Sequence, residues 1–144
     1  MKVRVKIFGE RNTGTNYLSK LISDNFELEI LKGSISKGSI FTFREWTKDL
    51  FFSLTKSSNL GWKHSRVDSN LVNSTTKKTF IITLTKNPYS FLLSLYKRPY
   101  HYKGNKPTTF LNFLNQNWRL TRRDNIKNTT SLSSPVELWN VKNN

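Results

Sequence analysis

The sequence predicts an α/β fold, a parallel sheet flanked by helices, on three observations. Near the N-terminus Val3, Val5 and Ile7 alternate with Lys2, Arg4 and Lys6, the period of two expected of a strand, before a loop and a helix pattern. Residues 79–85 (TFIITLT) form an unbroken β-rich run, the pattern of a strand buried on both faces of a parallel sheet. A second helix pattern follows that run directly, so strand, turn and helix recur in the order that parallel strands require.

Taken in order, Gly9 ends the first strand and opens a segment, ERNTGTNYL, that cannot continue it. Tyr17, Leu18, Leu21 and Ile22 then fall on one face of a helix running from Asn16 to about Asp24. Residues 26–44 mix glycines with short apolar runs at 28–31 and 40–43 and read only as loop and strand. Trp46, Leu50, Phe51 and Leu54 mark a helix ended by Ser57-Ser58-Asn59. Residues 60–63 (LGWK) read as a short strand finishing at His64. After the strand at 79–85, Asn87 suits an N-cap and Pro88 a first helical position, with Phe91, Leu92, Leu95 and Tyr96 at helical spacing up to Arg98-Pro99. A polar, basic loop spans 100–107. Phe110, Leu111, Phe113, Leu114 and Trp118 suggest another helix, followed by a basic cluster of Arg119, Arg122 and Arg123. A Ser/Thr/Asn-rich loop leads to Ser133, and Ser134-Pro135-Val136-Glu137 is a capping box that starts a last helix.

The chain has 144 residues, which suits one domain, and its 24 Lys and Arg against 9 Asp and Glu give a net charge of +15. Such a balance points to phosphate-bearing or otherwise anionic ligands. The absence of cysteine excludes disulfide frameworks, thiolate zinc sites, iron–sulfur clusters and cysteine nucleophiles, and suits a reducing compartment. With His64 and His101 the only histidines, no multi-histidine metal site is expected. The charged N-terminus lacks the apolar core of a signal peptide, and no stretch approaches the roughly 20 apolar residues of a membrane span. A soluble, cytoplasmic protein is expected.

Residues 9–16 (GERNTGTN) reproduce the G-x-x-x-x-G spacing of a phosphate-binding loop between strand and helix, where backbone amides and the helix N-terminus attract anions. A nucleoside triphosphatase would follow the second glycine with Lys and then Ser or Thr. Thr15 and Asn16 stand there instead, which suits a phosphosulfate, less charged at its transferring end and needing no metal, better than a magnesium triphosphate.

This loop resembles the 5′-phosphosulfate loop of sulfotransferases that use 3′-phosphoadenosine 5′-phosphosulfate (PAPS), commonly Lys-Ser-Gly-Thr-Thr-Trp. Aligned on the glycine, Asn12, Thr13, Gly14, Thr15, Asn16 and Tyr17 occupy those positions. The family's loop lysine falls on Asn12, with Arg11 one residue earlier, so the resemblance implies that Arg11 supplies the charge while Thr13, Thr15 and Asn16 bond the phosphosulfate. Tyr17 takes the place of an aromatic that stacks on adenine, and is equally placed to be core. The family's 3′-phosphate motif, an Arg at a strand end and a Ser eight residues on, is matched in spacing by Lys86 and Ser94, with lysine in place of arginine. Lys63-His64 stand where many members carry a lysine and a nearby histidine; the resemblance implies His64 as general base and Lys63 as a contact to sulfate or leaving group, with Glu10 the alternative base. His101 and the arginine cluster are expected to be solvated surface.

The resemblance spans residues 3–98. It implies a P-loop-type three-layer sandwich, a single domain over 1–144 lacking the family's C-terminal part, and sulfuryl transfer from PAPS to a hydroxyl acceptor, with a glycan as the acceptor class and no metal. Two other readings stay open: a P-loop kinase-like nucleotide-binding enzyme, disfavoured by the missing loop lysine and magnesium carboxylate, and a basic nucleic-acid-binding domain using Trp and Tyr with its charge.

Overall fold

A computed structural model describes residues 2–75, 77–99, 107–119, 122–124 and 132–143. Strand β1 (Arg4–Gly9) leads through the glycine loop into helix α1 (Thr15–Asn25) and a short strand β2 (Glu29–Ile30). A 3-10 turn at Ile40–Thr42 precedes α2 (Glu45–Leu54), α3 (Lys56–Asn59) and α4 (Ser69–Asn73). Strand β3 (Thr79–Leu84), α5 (Pro88–Lys97) and α6 (Phe110–Leu114) follow. Strands β4 (Trp118–Arg119) and β5 (Leu132–Ser133) make an antiparallel ribbon, with a 3-10 turn at Arg122–Asp124 between them and α7 (Pro135–Asn143) after it.

The main sheet is three parallel strands in the order β2-β1-β3, flanked by helices. The β1–β3 register runs from Arg4 opposite Thr79 to Gly9 opposite Leu84, so the two strands end side by side. That register brings the loop after β1 next to the turn after β3, which is what positions the site. Val5 and Ile7 pack against Ile22 and Leu18 of α1, whereas Phe8, on the opposite face by strand alternation, packs with Leu31 and Leu60. A third cluster joins Phe91, Leu92 and Leu95 of α5 to Phe113 of α6 and Leu138 of α7. Phe91 and Phe113 are fully buried, each worth about 1.5–3 kcal/mol of apolar transfer.

The local start signals act as the sequence implies. The Asn87 side chain accepts from the backbone N–H groups of Tyr89 and Ser90 with Pro88 at the first turn, a cap worth about 1 kcal/mol. Ser134 and Glu137 bond each other's backbone N–H at 3.2 and 3.0 Å, the expected capping box.

Four expectations need correction. Strand β3 is not buried on both faces: Phe80 is 51% exposed, and among the described residues β3 is paired on one side only, the covered central place falling to β1. Residues 60–64 are not a strand, because Leu60 and Gly61 take left-handed φ of 60° and 86° and turn the chain. The helix expected to reach Trp118 stops at Leu114, and Trp118 belongs to β4. The Ser57-Ser58-Asn59 cluster does not end α2, which closes earlier with the Thr55 hydroxyl donating to Phe51 O, but forms the last residues of the separate helix α3. His101, its basic loop and most of the Ser/Thr/Asn-rich loop lie outside the described residues. Among the described residues no helix is long and apolar enough to cross a membrane.

Candidate functional site

The glycine loop is folded on itself at the end of β1. A β-carbon on Gly9 would lie 2.7 Å from Thr13 Oγ1 and 2.9 Å from Leu84 O, so this close approach of loop and β3 needs glycine. Asn12 takes a left-handed φ of 64°, a conformation asparagine tolerates better than most residues. Thr13 gives both of its donors to Glu10 O, the hydroxyl at 2.5 Å and the backbone N–H at 3.2 Å. Its direct bonds therefore brace the turn. Gly14, Thr15 and Asn16 begin α1 with no side-chain cap and no acidic residue in the first turn, which leaves the positive end of the helix unneutralised. Thr15 is buried. Tyr17, 74% exposed, faces outward rather than into the core.

The turn at 60–64 docks onto this loop at two points. Lys63 donates from Nζ to Asn16 Oδ1, and Gly9 N–H donates to Lys63 O at 2.9 Å. His64, only 9% exposed, donates from Nδ1 to Gly9 O at 2.6 Å and packs edge-on against Trp62 at 5.1 Å between ring centres. A carbonyl partner accepts, so Nδ1 carries a proton; in the neutral ring the lone pair then lies on Nε2, the form in which imidazole is a base. The unexpected turn thus delivers both residues to the loop without a strand.

On the other side of the loop, Lys86 donates from Nζ to Ser94 Oγ at 2.7 Å and reaches Asn12 O at 3.5 Å. The Ser94 hydroxyl donates in turn to Ser90 O. Trp139 of α7 donates from its indole N–H to Lys86 O at 3.1 Å, so the last helix helps fix the end of β3. Beside Lys86, the Asn12 side-chain Nδ2 is buried with no hydrogen-bond partner among the described residues. A buried donor left open in this way invites an acceptor from a ligand.

Three residues that sequence reasoning did not assign to the site complete it. Trp62 lies under the Arg11 guanidinium at 5.2 Å and under that of Arg123 at 4.8 Å. Arg123 is not solvated surface: its side chain is buried and bonds Asp49 at 2.9 Å and Glu45 through charge-assisted contacts. Burial would raise the Glu45 carboxyl, but hydrogen bonds from Arg123 and Lys48 outweigh it and hold the carboxyl at about 2. The signal was available in principle, since Glu45 and Asp49 stand one helical turn apart and form an acidic face opposite in charge to the arginine cluster. The third is Lys6, fully buried in β1, whose Nζ donates to Asn59 O and Gly61 O at 2.5 Å each and so holds the 60–64 turn from below.

Desolvation marks this region. Burial, then repulsion from Lys63, brings Lys6 down to about 7, while burial and Arg11 lower Lys63. Burial also brings Arg11 down to about 10, opposed by Glu10, so it remains cationic near neutrality. Glu10 is buried and its Oε2 accepts from Arg11 N–H at 3.4 Å. The loop residues Arg11 to Asn16, the Lys63-His64 pair and the Lys86–Ser94 pair are therefore assembled around one strand end, with Tyr17 exposed beside them. Compared with known proteins, the chain matches no family model, no curated protein and no solved structure.

Proposed function

We propose that this chain is a PAPS-dependent sulfotransferase domain, acting on a hydroxyl acceptor of the glycan class. The observation that carries the reading is the convergence of three stretches far apart in sequence: Lys63 on Asn16, His64 on Gly9, and Lys86 on both Asn12 and Ser94. In this reading the three parallel strands and their helices belong to a P-loop-type three-layer sandwich.

The donor supplies an activated sulfuryl group on a phosphate leaving group. The amides at the start of α1 and the open Asn12 donor bind the 5′ end, and Arg11, cationic and held against Trp62, offsets charge on the departing phosphate oxygen. Lys86 and Ser94 take the 3′-phosphate, the lysine as a point charge where an arginine would grip with two parallel bonds. His64 accepts the acceptor's hydroxyl proton at Nε2 as the oxygen bonds to sulfur. The sulfur–oxygen bond to the phosphate then breaks and its electron pair stays on that phosphate oxygen.

Calorimetric titration tests the reading. Adenosine 3′,5′-bisphosphate binds without magnesium with a Kd on the order of micromolar, ATP–magnesium more weakly, and single-stranded DNA only with a steep loss of affinity in salt. Failure of the bisphosphate to bind overturns it, and tighter ATP–magnesium binding would favour a kinase-like enzyme instead.

A further inference from the structure

A cavity of about 610 Å³ lies between α1 and residues 30–37, with Lys63 in its wall. From α1 come Asn16, Ser19, Lys20 and Ser23, the i, i+3, i+4, i+7 stripe of one helix face. From the facing segment come Lys32 and Lys37, both exposed, with Ser34 and Ser36 between them. Gly33 lets this segment approach: a β-carbon there would lie 2.5 Å from Lys63 Cβ and 2.8 Å from Lys63 N, and Gly33 O accepts from that N–H at 3.0 Å.

The lining of this cavity holds four lysines and no carboxylate. Lys20 pairs with Asp24 at 3.0 Å in an exposed contact, which offsets little charge. A second cavity, about 640 Å³, makes the contrast: there Asp49 and Asp68 stand among Lys56, Arg66 and Arg123, so two carboxylates offset most of the positive charge within the wall. The first cavity is thus positively charged without internal compensation, while its serine and asparagine side chains offer hydrogen bonds to hydroxyl groups. It meets the catalytic loop where Lys63 bonds Asn16, one residue from His64.

We propose that this cavity is the acceptor subsite and that it takes an acidic saccharide, a polyhydroxylated acceptor already carrying carboxylate or ester-sulfate groups. The inference rests on the sulfotransferase reading and adds to it the class of acceptor. Lys32 and Lys37 hold the anionic groups as mobile point charges, the serine stripe of α1 meets the hydroxyls, and Lys63 guides the reacting hydroxyl toward the loop.

The test uses the whole chain saturated with adenosine 3′,5′-bisphosphate, titrated with hyaluronan tetrasaccharide, which carries two carboxylates, and with tetra-N-acetylchitotetraose, a neutral saccharide of the same length. The acidic tetrasaccharide binds at least about tenfold more tightly than the neutral one. Lys32→Ala with Lys37→Ala removes that preference by a similar factor while bisphosphate affinity stays within about twofold. Lys77→Ala with Lys78→Ala, at the far end of β3, leaves saccharide binding unchanged. Equal binding of the two saccharides, or an equal loss from the distal pair, overturns the proposal by showing that bulk charge or no charge is being read. Loss of preference at Lys32 and Lys37 in a chain that does not bind the bisphosphate supports an acidic-saccharide site but overturns the donor reading. Bisphosphate binding with saccharide affinity untouched by Lys32 and Lys37 overturns this inference alone.

Discussion

The two flanks of the glycine loop are built differently. On one flank, the turn carrying Trp62, Lys63 and His64 begins at Leu60, which packs with Phe8, and is tied to β1 through Lys6, with its cations desolvated. On the other, Lys86 and Ser94 are half-buried on a strand end and helix, joined by one side-chain hydrogen bond. The difference suits two tasks. A proton-transfer group benefits from a fixed tautomer and a dry, rigid setting, whereas a group that must bind and release a phosphate dianion benefits from solvent and a hydroxyl partner it can exchange.

Mutations can break or sharpen this contrast. The largest effect is expected from Arg123→Met, which strands Asp49, takes one of Glu45's two cationic partners and removes one guanidinium from Trp62; stability should fall by on the order of 3 kcal/mol, the low end for a broken buried pair because both carboxylates keep some solvent. Denaturant unfolding measures it, and a loss under about 0.5 kcal/mol would mean that the packed flank does not depend on this cluster. His64→Ala should lower turnover by about a hundredfold or more with bisphosphate affinity within about twofold, a split that separates chemistry from binding. Unchanged turnover would move the proton-accepting role to Glu10. On the open flank, Lys86→Ala should weaken bisphosphate binding by roughly tenfold or more without altering the pH profile of turnover, and Lys86→Arg should restore it.

A further test reads the burial of Lys6 as a pH dependence. Its folded value of about 7 lies below the ordinary 10.5, so between these two values the unfolded chain holds more protons than the folded one. Stability owed to this group therefore rises as pH increases from about 7 toward 10.5, and the penalty for its charge is greatest below 7. The unaltered chain should gain stability relative to Lys6→Met as pH rises through that window; a difference independent of pH would mean that Lys6 keeps an ordinary value.

Much of the fold was legible because its signals are local. The alternation in β1, the apolar face of α1, the Asn87-Pro88 start of α5 and the Ser134 capping box each lie within a few residues of what they specify. The 60–64 turn was misread because its shape depends on a lysine more than fifty residues earlier. Nothing in LGWK announces that Lys6 will bond Asn59 O and Gly61 O, or that Leu60 will adopt a left-handed conformation. Arg123 was misjudged for a similar reason: its neighbours in sequence are basic, and its partners stand on α2.

The sequence by itself determined the two strand–loop–helix units, the order of the three motifs and a surplus of positive charge, since periodicity, caps and composition act over short range. Tertiary structure alone decided that β1, not β3, is the covered strand, that Lys6 and Arg123 are interior cations, and that the lysines beside α1 stand around one cavity without a carboxylate. Those outcomes depend on which distant segments share a sheet edge, and that is settled only when the chain closes on itself.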